Sequence, residues 1–418
     1  MLNLHSEIVD AMTINEIRSL FPILDTQVYG KRLVYFDNAA TSQRPLSVIE
    51  KQRKMASLVN ANIHRAVHKL AIDATEEFES TRDAVKDFIC AADRSEVVFT
   101  SGTTHSVNLV AFSYGEAFVG EGDEIIVSEE EHHSNIVPWQ LLCQRKKAVL
   151  KVLPVDEEGH LRIDLLPSLL SPRTKLVAVA HISNVLGIVN PVEKIIKIAH
   201  EKGVPVLVDG AQGIVHQRVN VREIDCDFYA FSAHKLYAGT GAGVLYGKKK
   251  WLDAMPPYMG GGEMIERVSF SGTTFAKSPT KFEAGTQNIN AVPTLKPAIE
   301  FVKQLEDSDL AKENEEVFHF MQDTLLSNPR IHLYGIPRGN EKKVPVFSFT
   351  VEGAHHEDLA LILDKMGIAL RSGQMCAEPL MDRYGVTGML RASLAPYNNI
   401  EEAECFVKSL DKAIKMLI

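Results

Sequence analysis

Seven short apolar runs, at residues 96–100, 124–127, 150–155, 175–180, 205–208, 227–231 and 243–246, recur along the chain, with longer stretches of helical spacing between them. Parallel strands need crossover helices and are buried on both faces, so this alternation predicts an α/β unit on a mostly parallel seven-stranded sheet. Helices are expected at 72–91, 104–118 and 192–201. In the last of these, Ile195, Ile196 and Ala199 fall on one face, and Gly203 closes it. After Val292-Pro293 the rhythm changes. Two helical stretches, 294–306 and 310–326, lead to an apolar strand at 346–351, then helix, strand and a last helix, which reads as a compact α+β unit. The boundary is placed near Pro293, giving a large domain at 34–293 and a smaller one at 294–418. Segment 1–33, a helix and then an extended arm, is assigned to the smaller one.

Charge and cysteine content narrow the function. With 45 basic and 54 acidic residues the formal net charge is −9, which gives no broad electrostatic footprint for nucleic acid or an anionic membrane. Five scattered cysteines (Cys90, Cys143, Cys226, Cys376, Cys405), without a Cys-x-x-Cys pair, fit neither a disulfide framework nor a zinc knuckle and point to a reducing compartment. Glu7, Asp10 and Glu16 interrupt the start of the chain where a secretory leader would be basic and then apolar, and no later run is long enough to span a bilayer. A cytoplasmic protein acting on small molecules and other proteins is expected.

Candidate chemistry gathers at the ends of the predicted strands. Lys235 follows the run 227–231 in Phe231-Ser232-Ala233-His234-Lys235, and Asp209 ends another run 26 residues upstream. An amine and a carboxylate returned to one sheet edge suit pyridoxal phosphate, the lysine carrying the aldehyde and the aspartate keeping the pyridine nitrogen protonated. Asp209 could equally cap a helix, with Gln212 as the reciprocal member of a capping box. Ser101-Gly102-Thr103-Thr104 lies between a strand and a helix, as a phosphate cradle or an ordinary N-cap would. His132, in Glu131-His132-His133-Ser134-Asn135, stands where it can stack on an aromatic cofactor and exchange protons, or simply meet solvent. His64 and His68 have helical metal spacing, but no glutamate between them completes a protease pattern. Gly239-Thr240-Gly241-Ala242-Gly243 precedes a strand, so it is not a dinucleotide fingerprint. Cys376 lies on a Gly- and Pro-bearing loop near Arg371, with Arg391 shortly beyond; such a thiol can be held as thiolate, and an arginine fork suits a carboxylate.

Together and in this order, these segments resemble the class V aminotransferase group of pyridoxal-phosphate enzymes, and within it the SufS-type (group II) cysteine desulfurases. The resemblance spans nearly the whole chain and rests on Asn62-Ile63-His64-Arg65, Ser101-Gly102-Thr103-Thr104, Glu131-His132-His133-Ser134-Asn135-Ile136-Val137-Pro138-Trp139-Gln140, Ser183-Asn184-Val185-Leu186-Gly187, Val208-Asp209-Gly210-Ala211-Gln212, Ser232-Ala233-His234-Lys235, Phe282-Glu283-Ala284-Gly285-Thr286 and the two arginine segments around Cys376. It implies a type I fold and Lys235 as the Schiff-base lysine. It further implies Asp209 on the ring nitrogen, His132 stacked on the ring, and Gln212 and Asn184 near the ring hydroxyl. Thr103, Thr104, Ser232 and His234 would surround the phosphate, with Thr286 supplied by the second subunit of a homodimer. Arg391 would bind the substrate carboxylate, with Arg371, Asn184 and His64 also facing L-cysteine. The implied reaction yields alanine and a persulfide on Cys376, for iron-sulfur cluster assembly through an acceptor protein of the SufE or SufU type.

Four positions depart from the pattern: Gln374-Met375 replace a frequent histidine pair, Ser101 a frequent arginine and Gln287 a frequent proline. The competing readings are a selenocysteine lyase, an aminotransferase, for which nothing explains Cys376, and a non-catalytic sulfur-assembly scaffold.

Overall fold

The computed structural model of the chain describes residues 12–306 and 310–418. Glu7 and Asp10, on which the reading of the leader partly rested, lie outside the described residues. All seven apolar runs are strands of one sheet. Across it the order is Val97–Thr100, Gly243–Gly247, Phe228–Ser232, Val206–Asp209, Thr174–Ala180, Glu124–Ser128 and Val149–Leu153. Gly243–Gly247 runs antiparallel to both of its neighbours, and the remaining pairs are parallel.

The two-residue period of a strand sorts its side chains onto two cores. Val97, Phe99, Val206, Val208, Tyr229, Phe231, Val244 and Tyr246 enter one cluster, while Val98, Leu207, Phe228, Ala230 and Leu245 enter the other. Helices cover both faces, which is why these strands are continuously apolar rather than alternating. The carboxyl ends Thr100, Ala180, Asp209 and Ser232, with Gly243 set opposite both Thr100 and Ser232, all reach one edge of the sheet. Open α/β sheets bind ligands at that edge.

A second, four-stranded antiparallel sheet is ordered Ile331–Tyr334, Val346–Val351, Met389–Ser393, Arg371–Gly373. Helices Leu310–Ser327, His356–Lys365 and Ile400–Leu417 pack around Phe347, Phe349, Leu390 and Phe406. The sequence pattern showed neither Ile331–Tyr334 nor Arg371–Gly373, both too short for a period to emerge. It also missed the exposed hairpin Ile265–Ser269/Gly272–Phe275, whose strands lack a buried face.

Packing across the boundary expected at Pro293 is less simple than the sequence suggested. Helix Leu295–Glu306 turns Leu295, Ala298, Ile299, Phe301 and Val302 into the core of the large sheet. Of the leading segment, Ile17, Phe21 and Leu24 also join that core, whereas Val34 and Phe36 join the smaller one. Val34–Tyr35 pairs in parallel with Ile368–Ala369. The stretch from Val34 onward is thus shared by both units, and it brings Asp37, Ala39 and Ala40 to the place where they meet. Among the described residues, no helix is long and apolar enough to cross a membrane.

Candidate active site

One cavity of ≈ 180 Å³ opens at the sheet edge, lined among others by Thr103, Thr104, His132, Asn184, Asp209, Gln212, Ser232, His234, Lys235, Arg371, Cys376 and Arg391. Segments separated by up to a few hundred residues meet here because each follows a strand end or, for Arg371 and Arg391, lies on the small sheet facing it. Of the residues expected at the site, His64 and Thr286 do not line the cavity of this chain. His64 Nε2 instead bonds Glu79 Oε1 at 3.0 Å, and His68 accepts the N–H of Ala71 as a helix cap, so the two histidines serve separate structural ends. Thr286 is exposed on a loop.

Lys235 lies in the cavity wall. Burial pushes its ammonium down to about 8, against the pull of the Asp209 carboxylate, so an appreciable share of the amine is free near neutral pH. Asp209 is itself raised by burial, which the Ala211 N–H, 2.9 Å from Oδ1, and the charge of Lys235 oppose. The capping alternative fails. Gln212 turns its Nε2 to the carbonyl of Ala39 at 2.7 Å, and the short helix Gly213–His216 has Gln212 rather than Asp209 as its N-cap, with no side-chain cap bond.

The expected phosphate end combines backbone N–H groups with side-chain hydroxyls. Helix Thr103–Phe118 starts at Gly102, which offers no side-chain cap, so an ordinary cap does not account for the hydroxyls around it. Ser232 Oγ accepts the N–H of Thr103 and bonds its Oγ1, each at 2.8 Å, while Thr104 Oγ1 meets Ser134 Oγ at 2.7 Å. Gly102 has φ 149, and a Cβ on Gly243 would fall 2.4 Å from the Gly102 Cα, so close backbone approach requires glycine there. These hydroxyls and N–H groups at the positive end of a sixteen-residue helix form a donor set for a phosphate dianion.

His132 is pushed down to about 3 by burial, with the charges of Lys235, His133 and Arg391 adding to the effect. It is therefore a neutral imidazole at ordinary pH. Its Nδ1 accepts the N–H of Ser134 at 3.0 Å, which assigns the proton to Nε2. Arg391 is buried, with Nη1 donating to the Asn184 carbonyl at 2.8 Å and Nη2 3.4 Å from Asp37 Oδ1, and its Nε is buried without a partner among the described residues. Arg391 lines the cavity, where a guanidinium can pair with a carboxylate. Cys376 is exposed at the cavity mouth, with its carbonyl accepting the His133 N–H at 2.7 Å.

Pyridoxal phosphate fits these residues: a basic amine, a buried carboxylate, a neutral imidazole and an anion cradle whose glycines leave room for no side chain. Four contributors were missed in the sequence. Ser134 lines the cavity, and its place beside His132 was the available signal. Glu131 is fully enclosed, and burial pushes it up to about 8. It accepts from Ala180 N and Asn135 Nδ2, each at 2.7 Å, and from Ser128 Oγ, pinning the histidine turn. Asp37 and Ala39 lie far from the other site residues in sequence, and nothing local marked them.

Across residues 34–406 the chain matches the family described as aminotransferase class-V. It is 44% identical over 406 residues to a probable cysteine desulfurase of Vibrio cholerae serotype O1, covering 97% of this chain and 100% of that one. A cysteine desulfurase of Escherichia coli O7:K1 is likewise 44% identical over 406 residues, covering 97% and 99%. Among solved structures, the cysteine desulfurase CsdA of Escherichia coli, in an S-sulfonic acid form, superposes with a TM-score of 0.89 at 38% identity over 98% of this chain and 100% of that one. An apo cysteine desulfurase from Thermococcus onnurineus NA1 gives 0.91 at 37% identity, again over 98% and 100%.

Proposed function

The chain belongs to the class-V aminotransferase family, and on that footing we propose that it is a pyridoxal-phosphate-dependent cysteine desulfurase, converting L-cysteine to L-alanine and retaining the sulfur on Cys376. The observation that carries this reading is the presence of a thiol, Cys376, in the same cavity as Lys235 and Asp209. Lys235 and Asp209 would serve many enzymes of this cofactor; a thiol at the mouth has a task only if sulfur is what moves.

Bound pyridoxal phosphate supplies a covalent handle for the amino group and an electron sink for the α-carbon. Thr103, Thr104, Ser232 and His234 would hold its phosphate, together with Thr286 of the partner subunit in a homodimer. Asp209 would face the ring nitrogen, His132 the ring face, and Gln212 and Asn184 the ring hydroxyl. Arg391, with Arg371 nearer the mouth, takes the substrate carboxylate. Lys235, with its amine near 8, moves the α-proton. The Cys376 thiolate attacks the substrate sulfur, so that a new S–S bond forms as the C–S bond breaks, and the released carbon is protonated, with His132 Nε2 as donor. Cysteine plus thiol gives alanine plus persulfide, and no outside oxidant or reductant is needed.

The short Arg371-to-Pro379 loop supports the SufS-type (group II) assignment. With it come a separate SufE- or SufU-type protein as acceptor, iron-sulfur cluster assembly as destination, and a cytoplasmic setting that keeps the exposed thiol reduced. A homodimer is supported by the exposed apolar residues Leu58, Val67, Leu70 and Phe270, and by the placing of Thr286 outside this chain's own cavity.

Mass spectrometry after supplying cofactor and L-cysteine tests the reading. A sulfur-sized increase on the Cys376 peptide, with matching alanine, is expected; keto acid in place of alanine, or sulfur on another peptide, overturns it.

A further inference from the structure

We infer that His133 is a positioning residue that holds the Cys376 loop inward, so that the acceptor thiol faces the cavity while the two hydrogen bonds of this histidine are made. The inference rests on the desulfurase reading above. His133 itself does not line the cavity, although its neighbours His132 and Ser134 do. It faces the loop instead and touches it twice: its N–H donates to the Cys376 carbonyl at 2.7 Å, and its ring Nε2 accepts the N–H of Glu378 at 3.0 Å.

The loop needs such a tether. Met375 and Cys376 both sit at φ 54, two consecutive residues with side chains in the left-handed region, where Cβ crowds the backbone carbonyl. Met375 is anchored independently, with its side chain in the cluster of Val155, Val185 and Leu186 and its carbonyl accepting Asn184 Nδ2 at 2.9 Å. Cys376 is exposed, and its bond to the histidine turn is the counterpart on the other side. That turn, His133–Asn135, also sets His132 against the cavity, so proton donor and sulfur acceptor are fixed by one short segment. Releasing the ring bond lets the loop leave its unfavourable backbone region and carries the thiol outward, where a sulfur-accepting protein can reach it.

Accepting the Glu378 N–H requires an unprotonated Nε2, with the ring proton on Nδ1. An amide oxygen can take the same role, so His133→Gln should keep the tether and His133→Ala should lose it. Two readouts on the full chain test this: alkylation of Cys376 by iodoacetamide in the cofactor-free protein, and alanine formed in a single turnover of the holoenzyme. In His133→Ala, alkylation is expected to rise about three-fold and single-turnover alanine to fall about ten-fold, at unchanged cofactor absorbance. His133→Gln should restore both toward wild type. Glu378→Pro, which deletes the donated N–H and spares the histidine, should reproduce His133→Ala and decides the matter if that variant does not fold. Wild-type values in His133→Ala, or a His133→Gln that behaves like alanine, would overturn the inference. A wild type that makes no alanine, with alkylation still responding to residue 133, would instead sink the desulfurase reading and leave the tether standing.

Discussion

Asp37 Oδ1 lies 3.4 Å from Arg391 Nη2, and this ion pair, with the Asn184 carbonyl on Nη1, fixes the plane of a buried guanidinium while its Nε stays unspent. Asp37 also bridges Ser393 of the small sheet, so the packing of the stretch from Val34 onward against that sheet sets the orientation of the Arg391 guanidinium.

That fixed fork gives the first prediction. Arg391→Lys keeps the charge and loses the planar donors, so KM for L-cysteine should rise about ten- to a hundred-fold while cofactor absorbance stays as in wild type. Steady-state kinetics separate this from a role in chemistry, which would lower kcat at unchanged KM.

The amine of Lys235 gives the second. Only its unprotonated form attacks the cofactor aldehyde, and burial brings it down to about 8. Uptake of pyridoxal phosphate by the cofactor-free protein should therefore quicken about ten-fold per pH unit up to roughly pH 8 and level off above it. Asp209 opposes the lowering, so in Asp209→Ala the plateau should begin at lower pH. Stopped-flow absorbance reads both, and a rate flat from pH 6 to 8 would assign the attachment to another group.

Much of this was legible because the large unit writes its fold in local signals. Fully buried parallel strands are continuous apolar runs, and the residues that end them, Asp209 and Ser232 among others, line the cavity. Asp37 and Ala39 were illegible because their place depends on Val34–Tyr35 pairing with Ile368–Ala369, a register between distant segments that no period announces. Helix Leu295–Glu306 looked like the start of a second unit, since its amphipathic pattern shows an apolar face without saying which core receives it. For His64 the motif was visible, but its partners Glu79 and Glu263 were not.

Cys376→Ala separates acceptor from cofactor chemistry. Alanine formation from L-cysteine should fall below detection, with cofactor binding intact, while turnover of L-selenocysteine, whose selenium leaves more readily, should largely survive. Unchanged alanine production from cysteine would reject Cys376 as the acceptor.

Glu79 controls part of the acid stability. Burial works to raise its carboxyl, but hydrogen bonds from His64 and Arg82 and the charges of Arg82 and Arg94 outweigh it and hold the group down to about 2, below the ordinary 4.5. A depressed folded value means that stability is fully present above the unfolded pKa and is lost as pH falls through the folded one. Glu79→Gln should thus be less stable than wild type at pH 5 to 7, with the gap closing between about pH 4.5 and pH 2. Urea midpoints across that range check it, and a constant gap would show that packing rather than charge is responsible.

Glu283 tests what the Phe282-Glu283-Ala284-Gly285-Thr286 segment does for the phosphate cradle. Its two oxygens accept Arg82 Nη1 at 2.7 Å and Nη2 at 2.9 Å, and Oε1 also takes the N–H of Phe99 at 2.7 Å. Arg82 Nη1 bonds the Val97 carbonyl at 2.8 Å, and the guanidinium lies 4.5 Å from the centre of the Phe99 ring. Both partners are nearly free of solvent, and removing Glu283 leaves the buried Arg82 with Glu79 as its remaining carboxylate partner and the Phe99 N–H without its acceptor, at a cost below the ~3–5 kcal/mol of a wholly uncompensated buried charge. Glu283→Ala should lower the urea midpoint accordingly. It should also weaken cofactor binding, because strand Val97–Thr100 leads directly into Gly102 and Thr103. Replacing both charges, as Arg82→Met with Glu283→Leu, should recover most of the stability, since a well-packed apolar pair carries no desolvation penalty. If the double variant is as stable as wild type yet still binds pyridoxal phosphate weakly, the ion pair serves to place the cradle; if affinity returns with stability, it serves only to hold the fold.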